Sequence, residues 1–155
     1  MSVRRAGGVF LVLLCSVGIA QPCADSGVIH QAYTATVSET VQAIRLALED
    51  LGRGVLGADD SAGLVVSTAK RVKRSEVAEL VEFDEDVEIM SMFVVLVTPR
   101  GPDASQVEVM TVLRGRTPEK GFVGGGVYLS PSPLSDPLYA ALAPYLGKGR
   151  FRARE

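Results

Sequence analysis

The chain contains few residues that could do chemistry, and its one histidine is the first of them. A cysteine next to a histidine can act as nucleophile and base, and Cys23 precedes His30 in the same N-terminal stretch. We expect this stretch to be a flexible tail, which would hold hydrogen-bond geometry poorly. No serine near the histidine stands in a nucleophile motif such as G-x-S-x-G. We therefore predict no catalytic residue and a protein that is not an enzyme.

The second candidate is a run of carboxylates. Its members are Glu76, Glu79, Glu82, Asp84, Glu85, Asp86 and Glu88. Oxygen-rich clusters can bind Ca²⁺, but this run lacks the glycine that an EF-hand loop needs at its sixth position. One histidine and two cysteines also exclude a multi-histidine centre or a four-ligand zinc site. We predict a solvated acidic surface and no metal, while a glycosidase-like carboxylate pair stays open because spacing in sequence does not give separation in space.

Two further motifs could bind anions. Lys70, Arg71, Lys73 and Arg74 form a basic cluster that could contact lipid headgroups or phosphate. The same cluster could instead protect an exposed strand edge from aggregation, and the acidic run beside it favours this second interpretation. The glycines at 124–126 do not fit a phosphate-binding loop, because the nearby Lys120 precedes them. We expect a flexible loop there and no cofactor.

Composition limits the function classes further. The chain has 155 residues, of which 47% are hydrophobic, with 16 Lys and Arg against 18 Asp and Glu. This length suits one domain with a real core, and the hydrophobic content excludes a mostly disordered chain. The net charge of −2 argues against a nucleic-acid partner, which usually requires a basic excess.

The first twenty residues have the pattern of a secretory signal peptide. Arg4 and Arg5 give the positive start, an apolar run begins at Val9, and Gly18 and Ala20 suit a signal peptidase site. Cleavage would make Gln21 the first mature residue and place the protein in the periplasm or outside the cell. An uncut membrane anchor is the alternative. A spanning helix needs about 20 apolar residues, and this apolar stretch is shorter because Gln21 and Pro22 end it.

The cysteines bear on anchoring. Neither Cys15, after Leu14, nor Cys23, after Pro22, follows the small residue that a bacterial lipidation site requires. Cleavage would leave Cys23 alone, either to form an intermolecular bridge or as a tolerated thiol. We therefore expect a signal peptide at 1–20, a flexible tail at 21–32, a single domain at 33–147 and a basic tail at 148–155. Contact with a membrane surface stays open, without support from a lipidation site.

Two helices are predicted. Thr36 and Glu39 form a capping-box pattern before apolar residues spaced by three and four, which predicts a helix over 37–51. Gly52 suits the left-handed position after that helix. A second helix is expected over 136–146, with Pro137 in its first turn and an early end or kink at Pro144.

Alternating or apolar segments predict the strands. They are a short strand within 31–37, a weak one at 54–57, one over 64–72, a central strand over 88–98, its partner over 106–114 and a brief strand at 127–129. The central pair is expected to form a hairpin with a loop of about seven residues. The glycine- and proline-rich segment 115–133 is otherwise expected to be a loop.

The central strand is apolar on both sides. Ile89, Phe93, Val95 and Val97 point one way, and Met90, Met92, Val94 and Leu96 point the other. We predict an α+β, two-layer sandwich in which both helices pack on one face of an antiparallel sheet of about four strands. The second apolar face would then need a partner, which could be another copy of the chain or a different protein.

The segment in which TVSETVQAIRLALEDLG precedes a short strand, an acidic turn and SAGLVVSTAKRV resembles small bacterial envelope domains of the BamC (NlpB) lipoprotein type. The resemblance covers roughly residues 33 to 147 and implies a C-terminal helix that closes the fold. It brings no catalytic residues. Together with the export signal, it predicts an accessory or scaffold protein that binds other envelope components. The alternative is a periplasmic small-ligand binder or an unusual hydrolase that uses segment 115–133 as a lid.

Overall fold

The computed structural model describes residues 30–84, 86–130, 132–147 and 150–152. The expected signal peptide, Cys15 and Cys23 lie outside the described residues. The elements follow one another in the order β1 His30–Tyr33, α1 Val37–Asp50, β2 Val55–Asp59, β3 Leu64–Ser67, β4 Lys70–Arg71, α2 Arg74–Val77, β5 Glu88–Gly101, β6 Ala104–Thr117, β7 Gly121–Leu129, α3 Asp136–Leu146 and β8 Arg150–Arg152. A single 3₁₀ turn, Pro133–Ser135, leads into α3.

The strands form one antiparallel sheet, which confirms the α+β class. Their order is β2-β3-β5-β6-β1-β8, while β4 also pairs with β5 and β7 with β6. The described residues thus form an eight-stranded sheet, and the expectation of about four strands was wrong. The sheet is larger because β5 and β6, of 14 residues each, are long enough to pair with different neighbours at their two ends.

The β5–β6 hairpin is tighter than expected. Its strands continue through Pro99, opposite Ser105, to Gly101, opposite Ala104, with a bulge before Gly101. The loop therefore contains only Pro102 and Asp103, instead of about seven residues. A bulge lets one strand contain an extra residue without ending the ladder, and this keeps the turn segment paired.

Two other segments differ from the sequence expectation. The strand expected over 64–72 is two strands, β3 and β4, separated by Thr68 and Ala69. The N–H of Thr68 donates to the carbonyl oxygen of Gly54 at 2.8 Å. The loop expected over 115–133 contains β7, a strand of nine residues that includes the brief strand expected at 127–129; residues 121–123 and 127–129 pair with β6. The register shifts between Leu113 and Gly115, so the glycines at 124–126 lie in a bulge of this strand.

The ends of the domain also differ from expectation. β1 begins at His30, inside the stretch expected to be a tail, and ends at Tyr33 rather than near residue 37. β8 lies in the expected basic tail and pairs with β1, which lies between β6 and β8. This pairing joins residues about 120 positions apart in the chain, and no local pattern predicts such a contact.

The helix predictions are confirmed at α1 and α3. The N–H of Glu39 donates to Thr36 Oγ1 at 3.3 Å, and the N–H of Thr36 donates to Glu39 Oε2 at 2.8 Å. The bonds that the N–H and the hydroxyl of Thr36 donate to the Glu39 carboxylate hold its pKa below its usual value. α3 ends at Leu146, shortly after Pro144, whereas the short helix α2 was not predicted. Within the described part of the chain, no helix is long and apolar enough to cross a membrane.

One main core joins the two long helices to the sheet. Its largest contributions come from α1, α3 and alternate residues of β5 and β6, and its members include Ile44, Leu48, Phe93, Val95, Val107, Val109, Leu138 and Leu142. A smaller cluster at the other end of the hairpin joins Val77 of α2 to Ile89 and Leu113. The odd-numbered residues of β5 and β6 therefore line both clusters, as the alternation along the central strand predicts.

Because two tyrosines are buried in the core, we expect the fold to lose stability at alkaline pH. Burial raises the pKa of Tyr139 to about 12 and also raises that of Tyr33. The folded chain therefore holds the proton of a buried phenol more tightly than the unfolded chain does. The contribution of this proton to the free energy of unfolding is complete below pH 10 and is lost as the pH rises from 10 to about 12. We expect urea denaturation to show a fall of about 1.4 kcal/mol per pH unit for each buried tyrosine in this range.

A matched pair of variants tests this pH dependence. Tyr139→Phe should reduce the slope of stability against pH, since it removes a titrating group. Tyr128→Phe should leave the slope unchanged, because Tyr128 is 65% exposed. Equal slopes for wild type and Tyr139→Phe would contradict the prediction.

Candidate functional site

The described residues do not bring together the side chains that the sequence offered for catalysis or metal binding. Cys23 lies outside the described residues, and the backbone of His30 begins β1. Within the acidic run, Glu76 accepts from the N–H of Lys73 at 2.8 Å, and Glu88 lies 3.3 Å from the guanidinium of Arg71. Among the residues described, no three His, Cys, Asp or Glu side chains are close enough to hold a metal ion.

The basic cluster is largely engaged within the chain. Lys70 Nζ donates to the carbonyl oxygen of Leu51 at 2.6 Å. Arg74 donates to the carbonyl oxygens of Phe83, Asp84 and Val87 at 2.8, 2.8 and 3.0 Å. With Arg71 paired to Glu88, three of these four charges hold loops and strand ends within the chain.

The described surface has two concave regions, a cleft and a groove. A cleft of about 500 Å³ beside the basic cluster is lined by Arg71, Val72, Lys73, Arg74, Val87, Glu88 and Ile89. A groove of about 610 Å³ between the start of α1 and the end of α3 is lined partly by Glu39, Asp60 and Tyr145. Asp60 pairs with Arg45 at 2.6 Å, and the Tyr145 hydroxyl donates to Asp50 at 2.6 Å, which raises the pKa of Tyr145. Arg71, Arg74 and Glu88 in the cleft and Glu39, Asp60 and Tyr145 in the groove thus already have partners within the chain.

The remaining feature is the sheet surface opposite the core, which we term the outer face. Even-numbered residues of β5 and β6 lie on it, because neighbouring side chains in a strand point to opposite sides. Cross-strand pairing adds residues of β3, β4 and β7 to the same surface. The outer face comprises Leu64, Val66, Arg71, Glu88, Met90, Met92, Val94, Leu96, Thr98, Gln106, Glu108, Met110, Val112, Arg114, Arg116, Phe122 and Tyr128.

Large apolar side chains on the outer face reach solvent. Leu96 is 39% exposed, Phe122 42% and Tyr128 65%. Met92, Val94 and Met110 are half-buried, whereas Met90 and Val112 are buried, so two methionines give this surface adaptable side chains of the kind found on protein-binding surfaces. Single exposed apolar residues need no explanation, but a contiguous patch of this kind indicates a binding surface.

The flank of the outer face is shaped by the glycine bulge of β7. A Cβ added to Gly126 would lie 3.1 Å from Val112 Cγ1, so glycine lets β7 approach β6 closely there. The guanidinium of Arg114 lies 4.7 Å from the centre of the Phe122 ring, within the range of a cation–π contact. The glycines expected to form a flexible loop thus bring two aromatic side chains beside the apolar centre.

Arg53 is a buried charge that the sequence reasoning missed. It is 8% exposed, and its guanidinium donates to the carbonyl oxygen and the hydroxyl of Ser91 at 2.8 and 2.6 Å. It also lies 4.3 Å from the centre of the Phe93 ring, and burial lowers its pKa. These contacts connect the end of α1 to β5. They are structural, since they use the guanidinium within the core.

The chain matches no known protein family, and no curated protein matches it. Of the features described, the outer face gives the strongest basis for a functional proposal. The catalytic, metal and anion interpretations each lack a matching arrangement of side chains in the described residues.

Proposed function

We propose that this protein is an exported, non-enzymatic accessory or scaffold protein of the bacterial cell envelope that binds other envelope proteins through its outer face. The observation that carries the proposal is an apolar sheet surface on which Leu96, Phe122 and Tyr128 remain substantially exposed. Export rests on the pattern of residues 1–20, and an envelope role rests on the resemblance of segment 33–147 to BamC-type domains.

The placement of the helices supports a free outer face. α1 and α3 contribute to one core cluster with Phe93, Val95 and Val97, which point away from Met92 and Leu96. We infer that both helices cover the core side alone, as in a two-layer sandwich. The outer face would then remain available to a partner.

The alternative of a small-ligand binder or a hydrolase has less support. Its lid was expected in segment 115–133, but Gly121–Leu129 is a strand hydrogen-bonded to β6. The groove between α1 and α3 is the larger concave region described, and the carboxylate of Asp60 and the hydroxyl of Tyr145 that line it are already paired. Neither region presents a group poised for catalysis.

Photocrosslinking in intact cells tests the proposal. A photoreactive phenylalanine analogue in place of Leu96 should form an adduct with a protein partner on irradiation. The same analogue in place of Leu80 is the control, since Leu80 is 36% exposed and lies after α2, away from the outer face. Introducing Met92→Asp should abolish the adduct at position 96, because a carboxylate in an apolar contact loses its hydration.

The outcomes separate the parts of the proposal. An adduct at 96 that is absent at 80 and lost with Met92→Asp supports binding through the outer face. No adduct at 96, or equal adducts at both positions, overturns it. Sequencing of the N-terminus of the protein tests export. Export predicts Gln21 as the first residue, and a chain that still starts at Met1 would contradict it.

A further inference from the structure

One end of the outer face carries an excess of positive charge. Arg71, Arg114 and Arg116 lie there beside a single carboxylate, Glu88. Glu88 pairs with Arg71 at 3.3 Å, and within the described residues it is the one carboxylate that forms an ion pair with any of these three arginines. Three positive charges against one negative charge leave an excess of two on this part of the surface, which we term the arginine end.

The chain between α2 and β5, which carries most of the acidic run, is anchored on the opposite side of the sheet. Val77, Val81 and Phe83 pack with Ile89 and Leu113 in the smaller core cluster. Ile89 and Leu113 point away from the outer face, because neighbouring side chains of a strand alternate between its two sides. This segment therefore covers the core side and leaves the arginine end facing outward.

Arg114 is held in place at this end and has an unused donor. Its guanidinium lies 4.7 Å from the centre of the Phe122 ring, and such a cation–π contact fixes its direction. Its Nε is buried and has no hydrogen-bond acceptor among the described groups, whereas buried donors in proteins are nearly always paired. The geometry therefore indicates that an acceptor comes from outside the described chain.

Gly126 leaves space beside Arg114. A Cβ added at Gly126 would lie 3.6 Å from Arg114 Cγ, 3.7 Å from Tyr128 Cε2 and 3.1 Å from Val112 Cγ1. Glycine thus places no side chain between the arginine stem and the tyrosine ring. A short side chain of a partner can contact both groups there.

We propose that the arginine end binds carboxylates of the partner protein. The partner segment that covers the outer face is then apolar opposite the methionines and valines of this face and carries aspartate or glutamate opposite Arg114 and Arg116. This inference rests on the proposed function, since it takes the outer face to be a protein-binding surface. A wholly apolar partner would remove both guanidinium groups from water without a counter-charge, at a considerable cost. A carboxylate avoids that cost, because it can accept two parallel N–H bonds from one guanidinium.

Labelled peptides test this charge preference. Three peptides share a stretch of alternating valine and threonine and end in two aspartates, two asparagines or two lysines. Fluorescence anisotropy measures their binding to the protein in the form that its host exports. Wild type should bind the aspartate peptide about tenfold more tightly than the asparagine peptide, because charge-assisted hydrogen bonds are roughly twice as strong as neutral ones. The lysine peptide should bind most weakly.

Variants assign the preference to Arg114. Arg114→Met should remove most of the preference for aspartate, and Arg114→Glu should favour the lysine peptide instead. Arg45→Met is the control, since Arg45 lies on α1 and pairs with Asp60 away from the outer face. In cells, Arg114→Glu should also weaken the adduct formed at position 96. Circular dichroism checks the fold of every variant.

Several results would overturn the inference. These are no binding of the aspartate peptide, equal binding of the aspartate and asparagine peptides, or a preference that Arg114→Met leaves unchanged. Binding to phosphatidylglycerol vesicles that Arg114→Met abolishes, without a preference among the peptides, would overturn it in favour of lipid phosphate. An adduct at position 96 that Arg114→Glu does not weaken would remove the inference but leave the proposed function standing. If position 96 forms no adduct, the proposed function falls, whichever peptide the protein prefers.

Discussion

Replacing Gly63 with alanine is expected to lower the free energy of unfolding by more than about 3 kcal/mol. Gly63 ends the β2–β3 turn with a φ of +64°, and its carbonyl oxygen accepts from the N–H of Val97 at 2.7 Å. A Cβ at this position would lie 2.1 Å from the carbonyl oxygen of Val97. Because that atom belongs to the backbone of the central strand, relief of the clash would separate β3 from β5.

Two other glycines separate the causes of this loss. Gly52 has a φ of +65° but only Lys70 Nζ nearby, at 3.6 Å, so Gly52→Ala should cost about 1 kcal/mol from strain alone. Gly57 has open space around it, and Gly57→Ala should stay within about 0.5 kcal/mol of wild type. Urea denaturation gives all three values. A Gly63→Ala protein as stable as Gly57→Ala would contradict the described approach of the turn to β5.

The features that could be predicted from the sequence are those encoded by near neighbours. α1 begins with the Thr36–Glu39 capping box, and its end is closed by bonds from the N–H of Gly52 to Glu49 and from the N–H of Arg53 to Leu48, both 2.8 Å. These residues lie within one or two turns of each other, so their types are sufficient. The alternation along β5 likewise predicts its two faces, since it depends only on strand geometry.

The features that could not be predicted depend on distant residues. Glycines at 124–126 favour a loop by composition, and only the pairing with β6 makes them a bulge in a strand. β8 forms because β1 presents an unpaired edge to it. The outer face was partly visible as the even-numbered side of the central strand, but the contribution of Phe122 and Tyr128 required the position of β7.

Arg53 shows the same limit and leads to the second large effect. Arg53→Ala is expected to lower the free energy of unfolding by roughly 3 kcal/mol, because it removes two charge-assisted hydrogen bonds to Ser91 in the core. The guanidinium also lies over the Phe93 ring, 4.3 Å from its centre, so alanine loses this cation–π contact as well. Nothing in the local sequence distinguishes this arginine from an exposed one, since its partners lie on β5.

Three substitutions resolve the role of Arg53 by urea denaturation. Arg53→Met fills much of the same buried volume without a charge and should recover part of the loss, whereas Arg53→Lys keeps the charge but not the fork that reaches both Ser91 oxygens. Arg45→Ala is the control, because Arg45 forms an exposed ion pair with Asp60 and such pairs contribute about 1 kcal/mol or less. If Arg53→Ala costs no more than Arg45→Ala, the guanidinium does not hold α1 to β5. If Arg53→Lys lowers the free energy of unfolding more than Arg53→Met does, a buried charge at this position destabilises the fold when it lacks the two hydrogen bonds to Ser91.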